Sequence, residues 1–440
     1  MELNELRELM RSAGMVGDGG AGFPSYAKLA EGADTLIING SECEPLLYTD
    51  YQILKREMAT VLFGIEQILD TLSIPRALLS VKEHTAKRLG LRDGERLKDR
   101  IYLKTTPNVY PVGDEIILIY QTTGRVVRPG QLPITQRVIV YNVETMYNLG
   151  RLVKHGEPVT TKWLTVGGDV ERPVVVRVPV GTRIDELLAR LGITVGDGYT
   201  VIDGGPSMGK VINLAVAEVG KTTKAILVLP DSCRAAESKL ISDSMAKARA
   251  ETACCQCTRC TDLCPRNLIG YPLEPHKMVR AAMGAARVEP RMVLSATLCC
   301  GCGMCESLAC SQGISPRAVI SGFKVLLGKN GLKYQSNEGV EVRPEREYRM
   351  VSTEKWAQTL GVARFDRVAE FEGRLDGFDR VEIPLGRYIG APSIPVVKDG
   401  DRVLRGQMIS RSGSGLSIPH HASMDGVVTV SDTEIIVERE

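Results

Sequence analysis

Cys254-Cys-Gln-Cys257-Thr-Arg-Cys260-Thr-Asp-Leu-Cys264-Pro265 and Cys299-Cys-Gly-Cys302-Gly-Met-Cys305-Glu-Ser-Leu-Ala-Cys310 are the stretches on which the reading of this chain turns. Ten of the 12 cysteines fall between 254 and 310. The spacings are C-x2-C-x2-C-x3-C and C-x2-C-x2-C-x4-C. A tight loop of this kind delivers three thiolates to three irons of a cubane, and a fourth arrives from elsewhere. In two-cluster ferredoxins the last cysteine of each run ligates the other cluster. The expected sets are therefore Cys254, Cys257, Cys260 and Cys310 for one [4Fe-4S] cluster, and Cys264, Cys299, Cys302 and Cys305 for the second. Disulfides would need an oxidising compartment, and the N-terminus reads without a secretory signal. Structural zinc would want CxxC pairs or a Cys/His mixture. Cys255 and Cys300 stand beside ligands but out of register, and read as spare thiols.

Outside this block the chain has the make-up of a soluble globular protein. Its 440 residues suggest two to four domains, and 43% apolar with 25% charged residues is ordinary for such a chain. A net charge of +2 excludes a nucleic-acid or anionic-membrane partner recognised by bulk charge. No apolar run approaches the roughly 20 residues that span a bilayer. Leu3, Leu6, Leu9 and Met10 share one helical face at the N-terminus. That helix is expected to dock on a core or a partner; a weak encapsulation signal is the alternative. Cysteine-bound clusters place the chain in a reducing cytoplasm.

Between Gly14 and Pro24 lies a second informative stretch. Gly17, Gly19 and Gly22 match G-x-G-x-x-G, with Gly20 between them. A dinucleotide fingerprint should follow a strand. This one follows a helix, so the usual Rossmann fingerprint does not apply. The physics survives: glycines let the backbone approach a phosphate or ring, and successive N–H groups cradle an anion. Lys28 follows. Next, an apolar strand from Thr35 ends in Asn39-Gly-Ser41-Glu42-Cys43-Glu44-Pro45. Ligands of open α/β sheets sit at such carboxyl ends. Cys43 has no accompanying base and reads as a packed residue rather than a nucleophile.

Gly-Gly-Ala-Gly-Phe-Pro (19–24) followed by Ile-Asn-Gly-Ser-Glu-Cys-Glu-Pro (38–45) resembles the flavin-binding subunit of respiratory complex I, and more closely the RnfC component of the Rnf electron-transport complex. Tyr110-Pro-Val-Gly113-Asp114-Glu115 resembles that family's second acidic loop, and Asn142-Val-Glu-Thr145 its flavin-pocket motif. The resemblance implies FMN held by Gly17, Gly19, Gly20, Gly22, Lys28, Asn39 and Asn142. It places Phe23, Glu44 and Glu115 near NADH, Glu42 with either, and Gly113 and Asp114 in the cofactor loop. Ser41 and Asp114 depart from the complex I pattern, which has Asp and Glu there.

Alternating helices and strands over 1–160 give a Rossmann-like, three-layer α/β domain. Helices are expected over 51–72, 85–97 and 146–155, and strands over 77–81, 101–104 and 137–141. Over 161–232 two β segments, a helix and a further strand give a β-grasp pattern that resembles the SLBB module of this superfamily. Gly204-Gly205-Pro206 reads as a structural turn, with a ligand loop as the alternative. Residues 233–330 read as a helical, ferredoxin-like two-cluster domain, with helices over 234–250 and 272–287. Residues 331–380 read as a linker and return segment. Residues 381–440 resemble a barrel-sandwich, lipoyl-like module, but Met424-Asp425 offers no lysine, so a covalent carrier role is not expected.

The C-terminal place of that module resembles the cobalamin reductases of propanediol-utilisation microcompartments. The α/β multidomain chain is thus expected to oxidise NADH, with FMN and two [4Fe-4S] clusters passing electrons singly to a corrinoid or corrinoid-binding protein. Another acceptor for the same chemistry, or a peripheral Rnf-type relay role, are the alternatives. A microcompartment shell or partner enzyme is a further candidate contact, and no general acid or base is expected to be essential.

Overall fold

The structure is a computed structural model that describes residues 1–284 and 289–439. Helix α1 (Leu3–Ser12) turns Leu6 and Met10, both fully buried, into the main core. The glycine loop follows it. Strand β1 (Thr35–Gly40) is buried on both faces, as its unbroken apolar sequence requires. Helix α2 (Thr49–Thr71) leads to β2 (Ala77–Lys82), α3 (Glu83–Leu89), β3 (Arg96–Lys98), β4 (Ile101–Thr106), β5 (Val109–Tyr110), α4 (Glu115–Thr123), β6 (Val138–Asn142) and α5 (Val143–His155). The helix expected over 85–97 is cut short, because Gly90 takes the left-handed conformation at its C-cap and β3 follows.

The first sheet runs β3-β4-β2-β1-β6, parallel except for β3. From β1 the chain winds outward through β2 to β4, then crosses back to place β6 on the other side. The crevice beyond β1 and β6 is therefore a topological switch point. Asn39 and Asn142 are direct register partners at that point. On one face α2 and α5 cross closely: a Cβ on Gly64 would overlap the Met146 carbonyl oxygen, and one on Gly150 the Thr60 oxygen. Glycine is what permits this approach.

A second sheet comprises β7 (Thr161–Gly168), β8 (Val174–Pro179), β9 (Tyr199–Asp203), β10 (Lys210–Val211) and β11 (Ala225–Pro230), with α6 (Ile184–Arg190) packed on its core. The cysteine region is helical. It holds α7 (Arg234–Glu237), α8 (Asp243–Ala253), α9 (Arg259–Asp262), α10 (Pro265–Leu268), α11 (Pro275–Ala282), α12 (Pro290–Leu294) and α13 (Pro316–Lys329). The helix expected over 234–250 is two helices, and Ser242 caps the second by accepting from Met245 N–H. The helix expected over 272–287 starts at Pro275, which suits a first turn; positions 285–287 lie outside the described residues.

Residues 331–380 correct the linker expectation. They form α14 (Arg346–Arg349), β12 (Val351–Ser352), α15 (Thr353–Leu360) and β13 (Glu370–Arg374). Strand β12 pairs with β5, and β13 adds to the second sheet beside β8. The end module contains β14 (Arg380–Pro384), β15 (Ile394–Pro395), β16 (Arg402–Val403), β17 (Met408–Arg411), β18 (His420–His421), β19 (Gly426–Val430) and β20 (Glu434–Glu438). These make a four-stranded and a three-stranded sheet around Val381, Ile409, Val428 and Ile435. Among the described residues no helix is long and apolar enough to cross a membrane.

Candidate functional site

A cleft of about 600 Å³ opens at the switch point. Gly17, Gly19, Phe23, Lys28, Asn39, Glu42, Glu44, Gly113, Asp114, Glu115 and Asn142 line it together. Two expected residues do not. Gly22 faces the end module, with its carbonyl accepting from Ile389 N–H and Thr222 within 2.7 Å of where a Cβ would lie. Gly20, at φ +99°, stands at the loop tip outside the lining.

The glycine loop is held from beneath by a residue that its sequence does not advertise. Asp18, 2% exposed, accepts from Thr145 Oγ1 and Asn148 Nδ2 and pairs with Lys162 Nζ at 2.8 Å. Its own N–H donates to Thr145 Oγ1. The amides of Gly19, Gly20 and Ala21 bond no acceptor among the described residues. Three consecutive free N–H groups beside a cleft are a phosphate cradle. The loop thus fits the phosphate end of FMN.

Asn39 and Asn142 are fixed by their strands. Asn39 Nδ2 donates to Gly113 O at 2.9 Å, and its Oδ1 accepts from Ser41 N–H. Asn142 caps α5 through Glu144 N–H and donates to Asp50 Oδ2 at 2.9 Å. Lys224, at the start of β11, reaches across from the second sheet. It pairs with Asp50 at 2.6 Å and Glu144 at 3.3 Å, and also lines the cleft. Burial pulls Lys224 down, but Asp50 and Glu144 outweigh it and hold the ammonium above its ordinary range. Lys162 meets Glu144 at 2.7 Å, so Asp18, Glu144, Asp50 and two lysines form one buried charge network under the site.

The carboxylates are individually committed. Glu42 accepts from Asp50 N–H and Tyr51 N–H, and burial, helped by Asp50, pushes it up to about 7. Glu44 is gripped by Ser207 N–H at 2.6 Å and Met208 N–H; burial raises it as well. The 204–209 turn is therefore a clamp on Glu44, as the structural reading of those glycines expects: a Cβ on Gly205 would strike that carboxylate. Lys28 bonds Glu115 at 2.9 Å and Val140 O at 3.1 Å. Asp114 caps α4 by accepting from Ile116 and Ile117 N–H, and pairs with Arg266 at 2.7 Å. Cys43 is packed, and burial pushes its thiol up to about 12, which suits a structural residue.

Cys299, Cys300 and Cys302 line the same cleft, so the second cysteine run borders the glycine cradle's cleft directly. Cys264 packs with Cys299 and lies within electrostatic reach of Cys302 and Cys305. Cys254, Cys257, Cys260 and Cys310 surround a separate small cavity, and Cys257 is exposed. The crossed pairing of the fourth cysteines is the one brought together. No three His, Cys, Asp or Glu side chains among the described residues converge on a single ion, whereas a ring of four thiols around a void suits a cubane. The two loops also share a backbone. Gln256 and Thr258 have φ +56° and +62°, and Gly301 and Gly303, at the same places in the second run, have +76° and +79°.

Sequence reasoning missed Asp18, Asp50, Lys162, Lys224 and Arg266. A signal was present for two of them. Lys162 and Lys224 stand within or at the mouth of strands that are otherwise apolar, and a lysine there is buried only with a partner.

A parallel sheet with a glycine cradle at its switch point, backed by two four-cysteine sets, defines a flavin and iron–sulfur oxidoreductase. Residues 10–151 match the Nuo51 FMN-binding domain, 253–315 the 4Fe-4S dicluster domain and 374–438 the RnfC barrel sandwich hybrid domain. The chain is 37% identical to the cobalamin reductase PduS of Salmonella typhimurium, over 100% of this chain and 97% of that one. It is 36% identical to the Citrobacter freundii protein of the same name, over 99% and 96%. A component of the ion-translocating oxidoreductase complex of Edwardsiella ictaluri is 33% identical, over only 60% of this chain and 32% of that one. The chain belongs to the PduS cobalamin reductase family.

Proposed function

We propose that this chain oxidises NADH at the switch-point cleft and reduces a corrinoid, from cob(III)alamin to cob(I)alamin, through its two cluster sites. One observation carries the reading: the cleft that joins the glycine cradle to Asn39 and Asn142 is bordered by Cys299 and Cys302. Bound FMN and [4Fe-4S] clusters would supply hydride acceptance and single-electron transfer. The protein's part is binding and orientation. Gly17, Gly19, Gly20 and Lys28 hold the flavin with Asn39 and Asn142, while Phe23, Glu44 and Glu115 border the dinucleotide. Gly22 acts as a backbone pivot rather than a contact. Cys264, Cys299, Cys302 and Cys305 hold the cluster nearer the flavin. Cys254, Cys257, Cys260 and Cys310 hold the outer one, whose exposed Cys257 marks the outlet.

We read 1–160 as the flavin domain, 161–232 as an SLBB β-grasp, 233–330 as the cluster domain and 381–440 as a lipoyl-like end module. The segment 331–380 is a tie between the first three. The corrinoid acceptor rests on the named function of the PduS relatives, and a place in or beside a bacterial microcompartment rests on the sequence resemblance alone. The buried face of α1 argues against a free encapsulation helix.

The test is reconstitution of the full chain with FMN, iron and sulfide under anaerobic conditions. NADH should bleach the flavin and then drive cob(III)alamin to cob(I)alamin. Flavin bleaching without corrinoid reduction would assign a different acceptor, and no bleaching would remove the NADH reading altogether.

A further inference from the structure

Behind the wall that carries Glu42 and Glu44 lies a second cavity of about 500 Å³. It sits between the end of β2, α3, the 42–48 loop and α15. Lys82 lines it and is 3% exposed, yet makes no hydrogen bond or ion pair among the described residues. The nearest carboxylates are engaged elsewhere. Glu42 takes Asp50 and Tyr51 N–H, and Asp366 takes Leu46 N–H and the Tyr48 hydroxyl. On the facing helix Thr353 Oγ1 is buried without a partner among the described residues and also lines the cavity. A lysine 3% exposed and a buried hydroxyl, neither with a hydrogen-bond partner among the described residues, line one cavity, and such groups are costly unless something binds them. Burial pulls Lys82 below the ordinary ammonium range, which is the sign of that cost.

We propose that this cavity binds a small organic monocarboxylate, with its carboxylate on Lys82 and Thr353. Two cations, Lys82 and Arg88, line the cavity with the carboxylates of Glu42, Glu44, Glu354 and Asp366, and that excess of carboxylate would oppose a dianion. Leu46, Leu47 and Ala357 supply an apolar wall for the organic part. Glu42, Glu44 and Leu47 line both this cavity and the flavin cleft, so the two sites share a wall.

The experiment uses the reconstituted full chain and calorimetric titration with butyrate, inorganic phosphate and NADH. Butyrate should bind saturably, in the presence or absence of NADH. Lys82→Met should abolish butyrate binding and Thr353→Val weaken it about 3–10-fold, the range of one lost hydrogen bond. Flavin and iron content, read from absorbance, should be unchanged in both variants, which shows that they are folded. Thr353→Val is the smaller change and keeps the test open if Lys82→Met loses its flavin. Equal butyrate affinity in the variants and the parent would overturn the proposal. So would displacement of butyrate by NADH, which would assign the cavity to the dinucleotide. Phosphate bound more tightly than butyrate would overturn the choice of a carboxylate.

Discussion

The Tyr110 hydroxyl donates a 2.7 Å hydrogen bond to the backbone carbonyl of Cys302. Its ring stacks on Trp356 with centroids 4.7 Å apart, and Trp356 Nε1 donates to Ser207 Oγ at 2.8 Å. One aromatic pair thus joins the loop leading into α4, the inner cysteine run and the turn that clamps Glu44. Tyr110→Phe leaves the Cys302 carbonyl buried and unmatched. It should cost about 1–3 kcal/mol in chemical denaturation. Trp356→Ala, which also opens a cavity, should cost about 3–5 kcal/mol. Flavin content in Tyr110→Phe should stay at the parent level, because Tyr110 does not line the cleft.

Lys224 is the only described cation in ion-pair reach of Asp50. Lys224→Met would leave that carboxylate buried without a counter-charge, and removing one partner of a buried pair costs about 3–5 kcal/mol. The same substitution should release flavin, since Asp50 positions Asn142 through a 2.9 Å bond. Denaturation and flavin retention on gel filtration check both effects. Unchanged flavin retention would show that the network supports the fold and not the site.

The border between the cleft and Cys302 sets an order for electron flow. In Cys302→Ala, NADH should still bleach the flavin, but the remaining cluster should stay oxidised on the time scale of turnover. In Cys257→Ala the remaining cluster should be reduced as quickly as in the parent, and corrinoid reduction should fail. Rapid-freeze EPR after mixing with NADH reads both. Fast cluster reduction in Cys302→Ala would reverse the order.

What the sequence made legible follows the distance over which each feature is encoded. The cysteine sets and the glycine loop are local: their spacing carries the chemistry, and the parallel sheet follows from alternating elements. The charge network is not local. Lys162 meets Asp18 across 144 positions, and Lys224 meets Asp50 across 174. No motif links such pairs. Strand β13 was hidden for another reason. Glu-Phe-Glu-Gly-Arg has no apolar alternation, and it is a strand because the edge of β8 offers it hydrogen bonds. Gly22 belongs to the fingerprint by spacing, yet serves the contact with the end module. Glycine patterns report backbone freedom, and tertiary packing decides how it is used.

The matched cysteine loops make a further prediction from their backbone. Thr258 holds a left-handed conformation, φ +62°, where the second loop has Gly303 at +79°. A β-branched residue there is strained, by roughly 1–3 kcal/mol. Thr258→Gly should therefore slow the loss of the outer cluster to an iron chelator, and Gly303→Thr should speed loss of the inner one. Equal rates in the parent and Thr258→Gly would mean that the strain is relieved when the cluster is bound.

His420 and His421 should make the junction of the end module acid-sensitive. Neither nitrogen of His420, nor Nδ1 of His421, has a partner among the described residues, and both rings are buried. Burial, helped by the Lys221 ammonium, holds His420 well below the ordinary histidine range and His421 down to about 3. Lys221 donates to Gly14 O and Pro419 O, so it cannot move away without freeing the glycine loop. A base whose folded pKa is depressed binds protons more readily when unfolded. Its contribution to stability is complete above the unfolded value near 6.5 and is lost as the pH falls below it. Each shielded histidine should cost about 1.4 kcal/mol per pH unit in that window. Denaturation of the parent at pH 7, 6 and 5 should show stability falling between pH 6.5 and 5. In His420→Leu that slope should drop by about 1.4 kcal/mol per pH unit. Lys221, drawn down to about 7 by its own burial, extends the trend in the same direction above neutrality. An acid slope unchanged in His420→Leu would mean that the His420 imidazole takes up its proton in the folded chain.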